Sequence, residues 1–206
     1  KLKIKNELKE YFNDSTKLAV RSSATDEDSS SHSFAGMMET YLNVENNDLI
    51  FEYIRKCYVS CFSERIMEYR NRYSLINNDI SVAVIIQEMV DADYAGVMFT
   101  INPNTNNPDE TKISIVKGLG EQLVSGEANS MDYIVGISNN IIKKDSSGLV
   151  NDNLVKELAD KAKIIEDSYD IKQGQDIEFA IKNNQIYILQ CRLITTYKSI
   201  DKSKYR

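Results

Sequence analysis

Two runs near the C-terminus, residues 176–182 and 186–194, are rich in alternating apolar and polar side chains. Alternation with a period of two puts successive side chains on opposite faces of a strand. Two such runs separated by a short polar turn read as a β-hairpin. Odd positions of the first run are Ile177, Phe179 and Ile181, and those of the second are Tyr187, Leu189 and Cys191. Even positions are Asp176, Glu178, Ala180 and Lys182, then Ile186, Ile188, Gln190 and Arg192. A two-residue Asn183–Asn184 turn would pair odd with even and mix core with charge on each face. A loop with an odd number of residues makes one face wholly apolar and gathers Asp176, Glu178, Gln190 and Arg192 at one end of the other. A one-residue slip would destroy this segregation. The alternation therefore predicts an odd loop, with Glu178 near Gln190.

That polar end combines two carboxylates, an amide oxygen and a guanidinium. Carboxylate and amide oxygens are hard ligands suited to Mg²⁺, which also takes waters and substrate phosphates. The arginine offers planar donors for a phosphate. The plainer alternative is a solvated polar face with an Asp–Arg pair.

Composition sets the frame for this hairpin. The 206 residues carry a net charge of −6, with two prolines and eight glycines. That length suits one domain, able to bury a core without disulfides or a structural metal. The acidic balance argues against non-specific nucleic-acid binding, and no apolar run is long enough to span a membrane. The first residues lack a signal-peptide pattern, and with the absent initiator Met they suggest a piece of a longer, cytoplasmic chain. Cys57, Cys61 and Cys191 read as core thiols of a reducing compartment. His32, the only histidine, lies in a Ser-rich stretch and reads as exposed.

Residues 3–12 read as a short helix and 17–23 as a strand. Residues 24–33 form a loop, and 34–44 a turn running into a strand. The apolar spacing over 48–73 marks amphipathic helix, with a break near Ser63, where Ser63 and Glu64 can start a second helix. Strands follow at 82–90, 94–101, 112–117 and 132–137, with a turn at 102–109. A helix over 151–168, capped by Asp152, precedes the hairpin. Strands grouped in the middle, with helices before and after, predict an α+β fold.

Two glycine-containing stretches add candidate anion sites. In VRSSATDEDSSSHSFAGMMET (20–40), Arg21 alternates away from Val20, and the turn at Gly36 can present backbone N–H groups to phosphate, with Thr40 adding a hydroxyl. Met37 and Met38 pack in a core or face a ligand. The stretch KGLGEQLVSGE (117–127) bends sharply and either exposes Glu121 or sets it beside a ligand.

Taken together, AVRSSATDEDSSSHSFAGMMETYLNV (19–44), IIQEMVDADYAGVMFTINP (85–103), KGLGEQLVSGE and the pair DIEF…ILQCR (176–179, 188–192) resemble one family in the expected order. It is the nucleotide-binding domain of phosphoenolpyruvate synthase, pyruvate phosphate dikinase and rifamycin phosphotransferase. The resemblance implies an ATP-grasp fold, of which residues 1–206 are the larger part. Residues 17–81 would hold the phosphate-loop strand and helices, and 82–206 the hinge strand and metal-binding sheet. It implies ATP and Mg²⁺ as ligands, with Arg21 and Arg192 on the phosphates and Glu178, Gln190 and Asp176 at the metal. Gly36, Met37, Met38, Glu39 and Thr40 would form the loop over the phosphates. Gln87, Glu88, Met89 and Val90 would read adenine, largely through backbone groups, with Glu121 lining the same cleft. In such enzymes the ATP β-phosphate passes to a histidine on a separate domain, giving AMP and phosphate. Neither the lysine-bearing N-terminal lobe nor the carrier-histidine motif has a match here, and His32 matches no catalytic histidine. The expected parent is a phosphoenolpyruvate synthase. SFAGMMET lies between subfamilies, so a rifamycin phosphotransferase, a pyruvate phosphate dikinase and a non-catalytic nucleotide-binding module stay open.

Overall fold

The alternating strand and helix patterns resolve into two α+β units in the computed structural model, Lys1–Met89 and Val90–Arg206. Residues 2–24, 37–46, 49–75, 81–120, 130–169 and 173–194 are described.

The first unit contains α1 (Leu2–Tyr11), β1 (Lys17–Ala24), β2 (Thr40–Glu45), α2 (Ile50–Ser60), α3 (Glu64–Arg72) and β3 (Val82–Glu88). Its strands form an antiparallel sheet in the order β2-β1-β3. One face of β1 is apolar, and Leu18 and Val20 pack with Leu8, Val44, Ile50 and Cys57. Arg21 and Ser23 alternate to the other face and are half-buried. Between Leu18 and Val20 the pairing with β2 shifts register, with Asn43 at a φ of 57° on β2. This bulge brings Thr40 opposite Arg21. The expected break between helices occurs where anticipated. Ser63 takes an extended backbone at the start of α3, but its side chain makes no capping hydrogen bond.

The second unit contains β4 (Tyr94–Phe99), β5 (Glu110–Lys117), β6 (Met131–Gly136), β7 (Ile141–Lys143), α4 (Asp152–Asp167), β8 (Gln175–Lys182) and β9 (Gln185–Leu193). The strands make one antiparallel sheet in the order β7-β6-β5-β4-β8-β9. Helix α4 covers one face, where Val155, Leu158 and Ala162 meet Met98, Ile113, Ile115, Tyr133, Ile177 and Phe179. Gly96 is required there, because a side chain on it would meet the Phe179 ring at 2.7 Å and also the Ser114 carbonyl. The cap of α4 corrects the sequence expectation. Asn151, not Asp152, is the cap, and its Oδ1 accepts from the Asn153 N–H at 2.8 Å. The three-residue β7 has no counterpart in the sequence reading, being too short to show a period.

The hairpin loop also departs from expectation. It has two residues, Asn183 and Asn184, both at positive φ (52° and 63°). Such a turn matches the right-handed twist of its strands. Next to it odd does pair with even, Ile181 with Ile186 and Phe179 with Ile188. The mixing of core and charge is avoided because these even residues of β9 are isoleucines. A bulge between Glu178 and Phe179 then resets the phase, so that Glu178 faces Gln190 and Asp176 faces Arg192. The turn is pinned from outside the hairpin. Lys182 Nζ donates to Asp91 Oδ2 (3.0 Å) and Asp93 Oδ1 (3.1 Å), and the Asn183 N–H donates to Asp93 Oδ2 (2.8 Å). The Asn183 N–H and then Lys182 hold the Asp93 carboxyl below the ordinary range.

Candidate functional site

On the sheet of the second unit, alternation sends Asp176 and Glu178 to the face opposite α4, because Ile177 and Phe179 are buried beneath that helix. The register then sets Gln190 and Arg192 directly across from them. Arg192 Nε donates to Asp176 Oδ2 at 2.9 Å, with the two side chains only 21% and 15% exposed. The other oxygen, Asp176 Oδ1, is buried and meets no hydrogen-bond donor among the described residues. A buried carboxylate oxygen without a donor is costly, so the position suits a cation or a bound ligand. Among the described residues no three His, Cys, Asp or Glu side chains gather as a metal cluster. A metal here would therefore rest on two carboxylates and an amide oxygen, with its other positions left to phosphate oxygens and water, as suits Mg²⁺.

The candidates in the first unit fall into two groups. Arg21 sits on β1 opposite Thr40 on β2 and Ile85 on β3. Met37 and Met38 are half-buried, Glu39 and Thr40 exposed. Met38 Sδ lies 3.8 Å from Cys61 Sγ, so this methionine packs against the residue that ends α2. The Glu39 carbonyl accepts from Ser22 N at 3.4 Å and from Ser22 Oγ at 3.3 Å, tying the approach to Thr40 onto β1. Gln87 pairs with Ala19 and Glu88 with Leu18. The Met89 N–H donates to the Lys17 carbonyl at 2.8 Å, so that group is already engaged within the unit. The second unit begins at Val90. Gly36, Glu121 and His32 lie outside the described residues.

Among the described residues the three cysteines form no disulfide, Cys57 and Cys61 being buried and Cys191 half-buried. No helix of the described residues is long and apolar enough to cross a membrane. The cavity of about 300 Å³ between α1 and the start of α2, lined by residues including Lys5, Lys9 and Asp14, shares no residue with either candidate group. Three more polar residues on the Asp176 face, Lys112, Ser114 and Asp132, went unnoticed in the sequence. The alternation of Lys112 and Ser114 with Ile113 and Ile115 was the available signal.

Comparison with known proteins adds an independent line. The chain is 35% identical over 218 residues to a probable phosphoenolpyruvate synthase of Methanocaldococcus jannaschii, covering 93% of this chain and 18% of that relative. It is 33% identical to the phosphoenolpyruvate synthase of Pyrococcus furiosus, over 88% of this chain and 26% of the relative. It is 34% identical to the rifampicin phosphotransferase of Bacillus cereus, over 90% of this chain and 24% of the relative. The chain thus spans between about a sixth and a quarter of the length of these proteins. The model of the pyruvate phosphate dikinase AMP/ATP-binding domain matches residues 2–149 and 138–206. With that match over nearly its whole length, the chain belongs to the pyruvate phosphate dikinase AMP/ATP-binding domain family.

Proposed function

We propose that this chain is the ATP- and Mg²⁺-binding part, with an ATP-grasp fold, of a phosphotransferase, with phosphoenolpyruvate synthase the best reading of the parent. The carrying observation is the bulged register of β8 and β9, which aligns Glu178 with Gln190 and Asp176 with Arg192 while burying an unpaired Asp176 oxygen. Two carboxylates and an amide fit Mg²⁺, and the neighbouring guanidinium fits a phosphate. Glu178, Gln190 and Asp176 would hold the metal, which when bound neutralises phosphate charge and polarises phosphoryl oxygens. Asp176 orients Arg192 through the 2.9 Å bond to Nε. Arg21, with Thr40 opposite it, supplies a second cationic contact, joined by the loop residues Gly36, Met37, Met38 and Glu39. Gln87, Glu88 and Val90 face adenine in this reading. The Met89 backbone has only its carbonyl to offer, since its N–H serves Lys17. Glu121 is assigned to ATP on the family resemblance alone.

The reaction proposed for the whole protein breaks ATP twice. In this reading a histidine nitrogen on a separate domain bonds to the β-phosphorus as its bond to the α-phosphate oxygen breaks, leaving AMP, and water takes the γ-phosphoryl group as inorganic phosphate. Charge neutralisation and positioning carry such a transfer. The acceptor that follows is pyruvate in this reading. The similarity to a rifampicin phosphotransferase keeps a rifamycin hydroxyl as the second.

Titration calorimetry of the chain with ATP and Mg²⁺ tests the site. Binding is expected for the wild type and should fall below detection in Glu178→Gln and in Arg192→Ala. Unchanged affinity in both variants overturns the assignment.

A further inference from the structure

We propose that Lys112 is a further cationic contact for the polyphosphate of ATP, on the side of Asp176 away from Arg192. The inference rests on the ATP reading above. One row across the sheet, on the face opposite α4, runs Ile134, Lys112, Phe99, Asp176, Arg192. The adjacent row runs Asp132, Ser114, Val97, Glu178, Gln190. Lys112 therefore shares a face with all four residues of the candidate metal and phosphate site. Neighbouring strands lie about 4.8 Å apart, so the Lys112 and Asp176 backbones are roughly 10 Å apart across β4. A long, flexible lysine can close much of that gap toward a ligand seated over Asp176 and Glu178.

Among the described residues Lys112 is a cation without a close counter-charge. Its side chain is only 19% exposed, and its cross-strand neighbours are Phe99 and Ile134. Among the described residues its one ionic partner is Asp132, whose Oδ2 lies 4.0 Å from Nζ. That distance is too long for a hydrogen bond, and a relaxed ammonium–carboxylate pair closes to about 2.8 Å. Asp132 is kept back by two other bonds, because its Oδ1 accepts from Ser114 Oγ (2.8 Å) and Ser130 Oγ (2.9 Å). An ammonium whose counter-charge stands off at 4.0 Å is drawn to an arriving anion. ATP brings such a charge. In the row of Asp176, Lys112 stands two strands to one side and Arg192 one strand to the other, so both would reach phosphate oxygens of a ligand held there.

Equilibrium binding of ATP and of AMP to the full chain, both with Mg²⁺, tests this. Lys112→Met should weaken ATP by about tenfold or more, as expected for loss of a charge-assisted contact, while AMP affinity and the unfolding midpoint change little. Lys112→Arg should restore most of the ATP affinity. If Lys112→Met does not fold, Lys112→Gln carries the same comparison. ATP binding that survives in Lys112→Met but is lost in Glu178→Gln overturns the role of Lys112 alone. Equal losses of ATP and AMP overturn it too, as they mark a purely structural ion pair. ATP binding that ignores Glu178→Gln and Arg192→Ala overturns the site itself.

Discussion

Asp176 and Cys57 are both buried or nearly so, and their surroundings differ. Asp176 shares one oxygen with Arg192 and keeps the other buried without a donor. Cys57 is fully buried under β1, and its thiol is pushed up to about 11, first by burial and then by Cys61 and Glu39. The unfolded chain ionises a cysteine near pH 8.5, so unfolding releases this proton in the window between the two values. The contribution is full below about pH 8.5 and is lost as pH rises through the folded value. Urea unfolding should therefore show stability declining from pH 8.5 to 11, with a shallower decline in Cys57→Ala. Parallel profiles in the two proteins would show that other groups govern the alkaline limb. Asp176 was legible as a candidate from its neighbours in sequence. Its buried lone oxygen was not, since burial depends on what the rest of the unit lays over it.

The hairpin of β8 and β9 shows how an element can reach an expected pairing by an unexpected route. The alternation called for Glu178 beside Gln190 and an odd loop to achieve it. The pairing is present, and a bulge at Leu189 provides the odd residue instead of the loop. The mark of that bulge stands in the sequence, where the apolar partners of Ile181, Phe179 and Ile177 run Ile186, Ile188 and then Cys191, a step of three that breaks the period of two. A whole-strand parity test averages over such a step. The turn itself makes a sharp prediction. Asn184 sits at a φ of 63°, where a β-branched side chain is strained by about 1–2 kcal/mol and glycine is relaxed. Asn184→Val should lower the unfolding midpoint, and Asn184→Gly should hold or raise it. The reverse order in thermal melts would contradict the turn geometry.

For the molecule as a whole, ligand binding should appear as stability. A ligand that binds only the folded chain raises its stability by RT ln(1 + [L]/Kd), about 2.7 kcal/mol at a hundredfold excess over Kd. ATP with Mg²⁺ should raise the melting temperature, and Glu178→Gln should abolish the rise. The 206-residue polypeptide supplied with ATP and Mg²⁺ should not release AMP at steady state, because in the proposed reaction the accepting histidine lies on a separate domain. Continuous AMP formation in a chromatographic assay would show that this chain carries its own acceptor.

The sequence by itself determined the α+β class, nearly every helix and strand, and the membership of Asp176, Glu178, Gln190 and Arg192 in one polar set. All of these follow from periodicity, which is local and survives without knowledge of the partners. Only the tertiary structure decided which residue faces which. Register is a relation between strands, and a single extra residue at Leu189 or around Asn43 changes it without altering either strand's composition. For the same reason Lys112 joined the candidate site only once β5, β4 and β8 were laid side by side. It lies more than sixty positions from Asp176 in the chain, and no local pattern spans that separation.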